Sequence, residues 1–191
     1  MIYLITNRNL ASEEKYFKVL KEASLAGVHS IILREKDMQN EDFKKLYYKV
    51  KEIVNPATNI IINSKTEVFK EVQEKTLHLS FKDFINLKDK SIKNIGVSVH
   101  TIEEGIRADH LGCSYILASH IFPTKCKDGL EPKGLNFIKE LREKVSCPII
   151  ALGGITEHNA RDVRKAGADG VALMSGFFQC DNVYDLVRKI D

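Results

Sequence analysis

Short apolar runs that do not alternate in polarity recur along the chain, and each is followed by a stretch whose apolar residues fall three or four apart. Ile2 to Thr6 is the first run. Glu13 to Ala26 follows with helical spacing through Tyr16, Phe17, Leu20, Ala23 and Leu25, and Gly27 marks its end. Val28 to Leu33 predicts the second strand. A charged cluster, Arg34-Glu35-Lys36-Asp37, then leads into a helix from about Asn40 to Val54 with Phe43, Leu46, Tyr47 and Val50 on one face. The cycle repeats through Ile60-Ile61-Ile62, a helix carrying Val68 and Val72, the brief strand Leu77-His78-Leu79 and a weak helix near Phe84 to Leu87. Ile95 to Val99 is the next strand, Thr101 caps a helix starting Ile102-Glu103-Glu104, and Tyr115-Ile116-Leu117 is the strand after it. An irregular stretch, His120 to Lys133, contains Pro123, Gly129 and Pro132 and precedes a helix from Leu135 to Lys144.

Two late runs end in small residues. Leu152-Gly153-Gly154-Ile155 closes the run Pro148-Ile149-Ile150-Ala151 and is expected to open a helix; Val171-Ala172-Leu173-Met174-Ser175-Gly176 repeats the arrangement. A helix N-terminus carries unpaired N–H donors and a partial positive charge, and glycine lets an anion approach the backbone, so two such ends side by side make a phosphate site. The same residues also read as ordinary strand-to-helix turns. Strand–helix alternation with runs suited to burial on both faces predicts an α/β fold, a compact (β/α)8 TIM barrel occupying residues 1–191 as a single domain. Phosphate glycines after strands seven and eight agree with that fold. A doubly wound open sheet shares the alternation but more often carries its phosphate glycines after the first strand, where this chain has Thr6-Asn7-Arg8.

The length of 191 residues with 43% hydrophobic content suffices for one sizeable core and is slightly short for a barrel, so little decoration is expected. The 29 basic and 26 acidic residues are interleaved and leave a net charge of +3, with no basic stripe; nucleic acid is excluded as a partner on that ground. Cys113, Cys126, Cys147 and Cys180 are widely spaced, which predicts reduced thiols and no structural zinc. No apolar run approaches membrane-spanning length and the start of the chain enters a strand pattern directly, so a cytoplasmic protein without a membrane partner is expected. A homo-oligomer is left open.

In a barrel, chemistry belongs at the C-terminal ends of the strands. The residues there are Thr6, Arg34 with Lys36, Asn63, Ser98 with His100, Ser119 with His120, Lys127 on the long loop, Gly153 with Gly154, and Ser175 with Gly176. If the extended geometry persists past the strand, Arg34 and Lys36 point the same way and present two cations to one acidic ligand. Alternatively they pair with Glu35 and Asp37 as a solvated cluster. His120 is the candidate for proton transfer, because an imidazole titrates near neutral pH and this one follows a strand; a structural hydrogen-bonding role is the competing reading. His78, inside a strand, and His100, before a helix, are weaker candidates, and His29, His110 and His158 read as surface or packing residues.

Leu33-Arg34-Glu35-Lys36, Ile62-Asn63, His78-Leu79, Gly96-Val97-Ser98-Val99-His100-Thr101, Phe122-Pro123-Thr124, Lys127 and the two glycine stretches occur in order over nearly the full length. In combination they resemble the thiamin phosphate synthase/TenI superfamily. The resemblance implies a compact (β/α)8 barrel of thiamin biosynthesis, with a thiazole phosphate held at Gly153-Gly154 and Ser175-Gly176.

Departures from the synthase pattern bear on the activity. Ile32 stands where synthases have glutamine, Ser64 where they have a magnesium-binding aspartate, and Ser80-Phe81 where they have Gly-Gln; Asp83 alone keeps a magnesium position. One carboxylate serves a hard dication poorly. Ser119-His120-Ile121-Phe122, Cys126-Lys127 and Gly129-Leu130-Glu131 are similar instead to the TenI branch, the thiazole tautomerases, in which a histidine at the His120 position is the acid/base. The resemblance then implies a thiazole phosphate substrate, His120 as catalyst, substrate contacts from Arg34, Lys36, Asn63, Ser98 and Lys127, and no metal or cofactor. The synthase reading, with magnesium, and a non-catalytic thiazole or thiamin phosphate-binding regulator remain as alternatives.

Overall fold

A computed structural model describes residues 1–124 and 129–191. Eight parallel strands follow one another in chain order around a closed barrel: β1 (Ile2–Ile5), β2 (Ser30–Leu33), β3 (Asn59–Asn63), β4 (Thr76–Ser80), β5 (Ile95–Val99), β6 (Tyr115–Ser119), β7 (Ile149–Leu152) and β8 (Gly170–Leu173). The intervening helices are α1 (Glu13–Leu25), α2 (Asn40–Ile53), α3 (Thr66–Val72), α4 (Phe81–Ile85), α5 (Ile102–His110), α6 (Gly134–Lys144), α7 (Ala160–Lys165), α8 (Ser175–Gln179) and α9 (Val183–Ile190). The closed (β/α)8 barrel is the fold expected, and the open sheet is not. β1, β2, β6 and β8 are buried at every position, which is why their sequences do not alternate. Among the described residues no helix is long and apolar enough to cross a membrane.

The backbone groups into two compact units. Unit one is Met1 with His78–Ala172, and unit two is Ile2–Leu77 with Leu173–Asp191. In unit two, Ser12 caps α1 by accepting the Lys15 N–H, and α1 packs on α2, α8 and α9. Its buried Tyr16 ring stacks on Phe178, centroids 5.7 Å apart. In unit one, β5, β6 and β7 pair in register, with Ser98 beside Leu117 and Ser119 beside Leu152. Thr101 caps α5 as its position before Ile102-Glu103-Glu104 predicts. Cys113, Cys147 and Cys180 are free thiols; Cys126 lies outside the described residues.

Asp109, on α5, fastens the entry to β7. Its carboxylate accepts the Ser146 N–H (2.9 Å), the Ser146 hydroxyl (3.1 Å) and the Cys147 N–H (2.9 Å). Partial burial alone would raise its pKa, but these donors together hold it below the ordinary carboxylate value. A depressed folded pKa stabilises the fold above the unfolded value of about 4 and loses that contribution as pH falls through the folded one. Asp109→Asn is therefore expected to melt below the wild type at neutral pH, with the gap closing on acidification below about pH 4. Thermal melts at stepped pH check this; a gap independent of pH would exclude the charge as its source.

Candidate active site

In unit one, β6 ends at Ser119 and the chain turns at once over the end of β7. The Ile121 N–H donates to the Leu152 carbonyl and the Phe122 N–H to the Gly153 carbonyl, both at 3.0 Å. His120 is thereby set between two fixed strand ends, 6% exposed. Its own carbonyl accepts the Lys133 N–H, so the far end of the long loop is pinned beside it. The imidazole Nε2 lies 3.3 Å from the Leu130 carbonyl. A carbonyl can only accept, so this contact keeps the proton on Nε2 and leaves Nδ1 as the basic nitrogen of the neutral ring.

Gly153 and Gly154 adopt φ of +105° and +64°. A Cβ at Gly153 would lie 2.4 Å from the His120 Cβ, and one at Gly154 would lie 2.6 Å from the Pro123 carbonyl oxygen. The glycines thus make room for the β6 loop, a reason the sequence does not display. They also do not open a helix, contrary to expectation. The Asn159 side chain accepts the Thr156 N–H and donates to the Gly154 carbonyl, which stabilises a turn over 157–159, and α7 begins only at Ala160.

His100 is held by the neighbouring strand, its Nδ1 donating to the Ser119 carbonyl at 3.0 Å. Ser98 is half-buried on β5, and its hydroxyl lies 2.8 Å from Nε2 of His78, which is 2% exposed on β4. His29, His110 and His158 are exposed.

In unit two, the turn after β2 departs from the extended geometry expected to bring Arg34 and Lys36 onto one face. The extended geometry ends at Glu35, where a turn is closed by the Met38 N–H donating to the Glu35 carbonyl, so the two cations do not share a strand face. Glu35 and Asp37 are both taken by Arg8. Glu35 is 3% exposed and accepts the Arg8 N–H and the Tyr16 hydroxyl, each at 3.0 Å, while Asp37 forms a two-pronged pair with the Arg8 guanidinium at 2.5 and 2.7 Å. Arg34 is half-buried, with its N–H donating to the Thr6 hydroxyl at 2.9 Å, and Lys36 is exposed. Asn63 ends β3, half-buried. Ser175 and Gly176 open α8 directly after β8, as the sequence predicts, with Met174 as N-cap.

The chain thus places His120, Ser98, Gly153 and Gly154 at strand ends of unit one, and Arg34, Lys36, Asn63, Ser175 and Gly176 at strand ends or their loops in unit two. Lys127 lies outside the described residues. Sequence reasoning missed Glu35 and Tyr115 as polar anchors, and ranked His78 low. For His78 a signal existed, a polar residue between two apolar ones in a strand; for Glu35 none did.

Of the two magnesium positions in the synthase pattern, this chain keeps a carboxylate at one. At the aspartate position of the synthase pattern stands Ser64, with φ of +60°, and the Asp83 carboxylate accepts the Ser80 hydroxyl at 2.6 Å within the first turn of α4.

Residues 2–177 match the family model described as thiamine monophosphate synthase, TMP-TENI. A thiamine-phosphate synthase of Clostridium acetobutylicum is 31% identical over 192 residues, covering 98% of this chain and 91% of the relative. One from Clostridium tetani is 33% identical over 180 residues, covering 91% and 86%. Among solved structures, a thiamine phosphate pyrophosphorylase from Pyrococcus furiosus superposes with a TM-score of 0.84 at 25% identity, covering 99% of this chain and 92% of that one. With a match over nearly its whole length and the barrel that goes with it, this chain belongs to the thiamine monophosphate synthase/TenI family.

Proposed function

We propose that this protein acts on a thiazole phosphate and catalyses proton transfer within it, turning the non-aromatic ylidene tautomer of a thiazole carboxylate phosphate into the aromatic one. The observation that carries this reading is His120, buried at the end of β6 with Nε2 held by the Leu130 carbonyl and Nδ1 left as the base. The ring carbon bearing the carboxylate loses its proton to Nδ1, and the electron pair of that C–H bond enters the ring. The exocyclic carbon takes the proton back from the imidazolium, so atoms and charge balance without a redox partner. Backbone donors at Gly153-Gly154 and at Ser175-Gly176 are assigned to the phosphate, and Arg34, Lys36, Asn63, Ser98 and Lys127 to the remaining substrate oxygens.

The names of the relatives favour the second reading, a synthase that joins hydroxymethylpyrimidine diphosphate to thiazole phosphate. Against it stand Ser64 and the Ser80-bound Asp83 at the positions that would hold the ion this reaction uses. The two readings separate in one experiment on the wild type. In D₂O the ylidene substrate is expected to aromatise faster with enzyme, with deuterium entering the exocyclic carbon. Magnesium with the pyrimidine diphosphate and thiazole phosphate is expected to release no pyrophosphate. The opposite pair of results would establish the synthase, and thiazole phosphate binding with neither reaction would leave the regulator.

A further inference from the structure

The proton transfer leaves unused a buried polar row across β4, β5 and β6. His78 Nδ1 lies 2.8 Å from the Tyr115 hydroxyl and its Nε2 lies 2.8 Å from the Ser98 hydroxyl. Tyr115 opens β6 opposite Gly96 in the β5 register, and its ring stacks toward His78 at 5.6 Å between centroids. It reaches His78 past β5 only because residue 96 has no side chain: a Cβ there would lie 2.1 Å from the Tyr115 Cζ.

The order of protons in this row follows from acidity. A phenol, with a pKa of about 10, is a far stronger acid than an alcohol and therefore the better donor to an imidazole nitrogen. Tyr115 thus donates to Nδ1, which puts the ring proton on Nε2, and Nε2–H donates to the Ser98 oxygen. The hydroxyl proton of Ser98, half-buried near the C-terminal end of β5, is then committed away from His78.

We propose that His78 and Tyr115 are positioning residues that fix Ser98 as a hydrogen-bond donor to a ligand carboxylate. The inference rests on the tautomerase reading, whose substrate carries that carboxylate. With the reverse proton order Ser98 would present lone pairs to an anion, so a site for a carboxylate needs the order that Tyr115 imposes.

The test is a double-mutant cycle by calorimetry on Ser98→Ala, His78→Leu and the pair together, with aromatic thiazole carboxylate phosphate and with thiazole phosphate lacking the carboxylate. Each single substitution is expected to weaken the carboxylate ligand roughly ten- to hundredfold, as loss of a charge-assisted bond does. The double variant is expected to bind no worse than Ser98→Ala, and the ligand without the carboxylate to bind all of them alike. Tyr115→Phe keeps the packed ring if His78→Leu fails to fold; it is expected to weaken only the carboxylate ligand and to move the ¹⁵N signals of His78 away from the Nε2–H tautomer. Additive losses, or equal losses for both ligands, would overturn the inference while wild-type turnover left the tautomerase standing. A wild type that neither binds these ligands nor accelerates aromatisation would remove both.

Discussion

His120→Asn is expected to lower turnover of the ylidene thiazole phosphate by roughly 10² to 10⁴ while leaving its affinity and the melting temperature near the wild-type values. The separation of rate from affinity is the point. Asparagine is smaller than histidine and its amide reaches only the place of Nδ1, so the variant gives up the long Nε2 contact to the Leu130 carbonyl, a single hydrogen bond worth about 1 kcal/mol. What it lacks is a nitrogen that takes up and returns a proton near neutral pH. Backbone bonds at Ile121, Phe122 and Lys133, which set the course of the β6 loop, involve no side chain and survive the change. Stopped-flow absorbance on the ylidene substrate, with calorimetry on the aromatic product, measures both quantities. A variant turning over at the wild-type rate would sink the assignment of His120 as the base.

Gly153→Ala is expected to lose comparable activity by a different route, and to lose stability with it. At φ of +105° an alanine is strained by about 1–3 kcal/mol before any contact is considered. Its Cβ would also lie 2.4 Å from the His120 Cβ and 2.8 Å from the His120 Cα, so backbone as well as side chain must move. Neither strand end can give way easily, because the Phe122 N–H donates to the Gly153 carbonyl itself. Displacing a catalytic group by about 1 Å can lower a rate by about 10²-fold, and strain of this size lowers the melting point of a chain this long by roughly 2–12 °C. Melting curves and turnover measured on the same preparation check the pair of effects. Wild-type values of both would mean that the β6 loop is not held against β7 as described.

Much of the barrel could be read from local pattern. β5 and the start of α5 fall where the apolar run and Thr101 put them, because both signals lie within a few neighbouring residues. The interval after Gly154 could not be read that way. Gly-Gly ahead of a polar segment looks like a helix start, whereas Asn159 spends its side chain on Gly154 and Thr156 and delays the helix. Within the candidate site, His120 and Ser98 were legible as polar residues at strand ends. Their partners were not, since Leu130 is ten residues from His120 and Tyr115 is thirty-seven from His78, separations fixed by barrel register and loop closure. Glu35 was legible only as one charge among four. Whether it faced solvent or Tyr16 depended on where the β2 extension stopped.

Glu35 has a bearing on how this protein tolerates change. Between two cations proposed to meet the substrate sits a carboxylate closed off from solvent and satisfied by Arg8 and Tyr16. Removing it would take the shared acceptor from the Tyr16 hydroxyl and the Arg8 amide, and would loosen the tie between the turn that carries both cations and α1. In a survey of random variants, residues 34, 35 and 36 would then stand out together, the outer two for what they touch and the middle one for what it holds still. Lineages that drift at position 35 would be expected to drift at positions 8 and 16 as well, so the three positions travel through sequence space as one inherited unit.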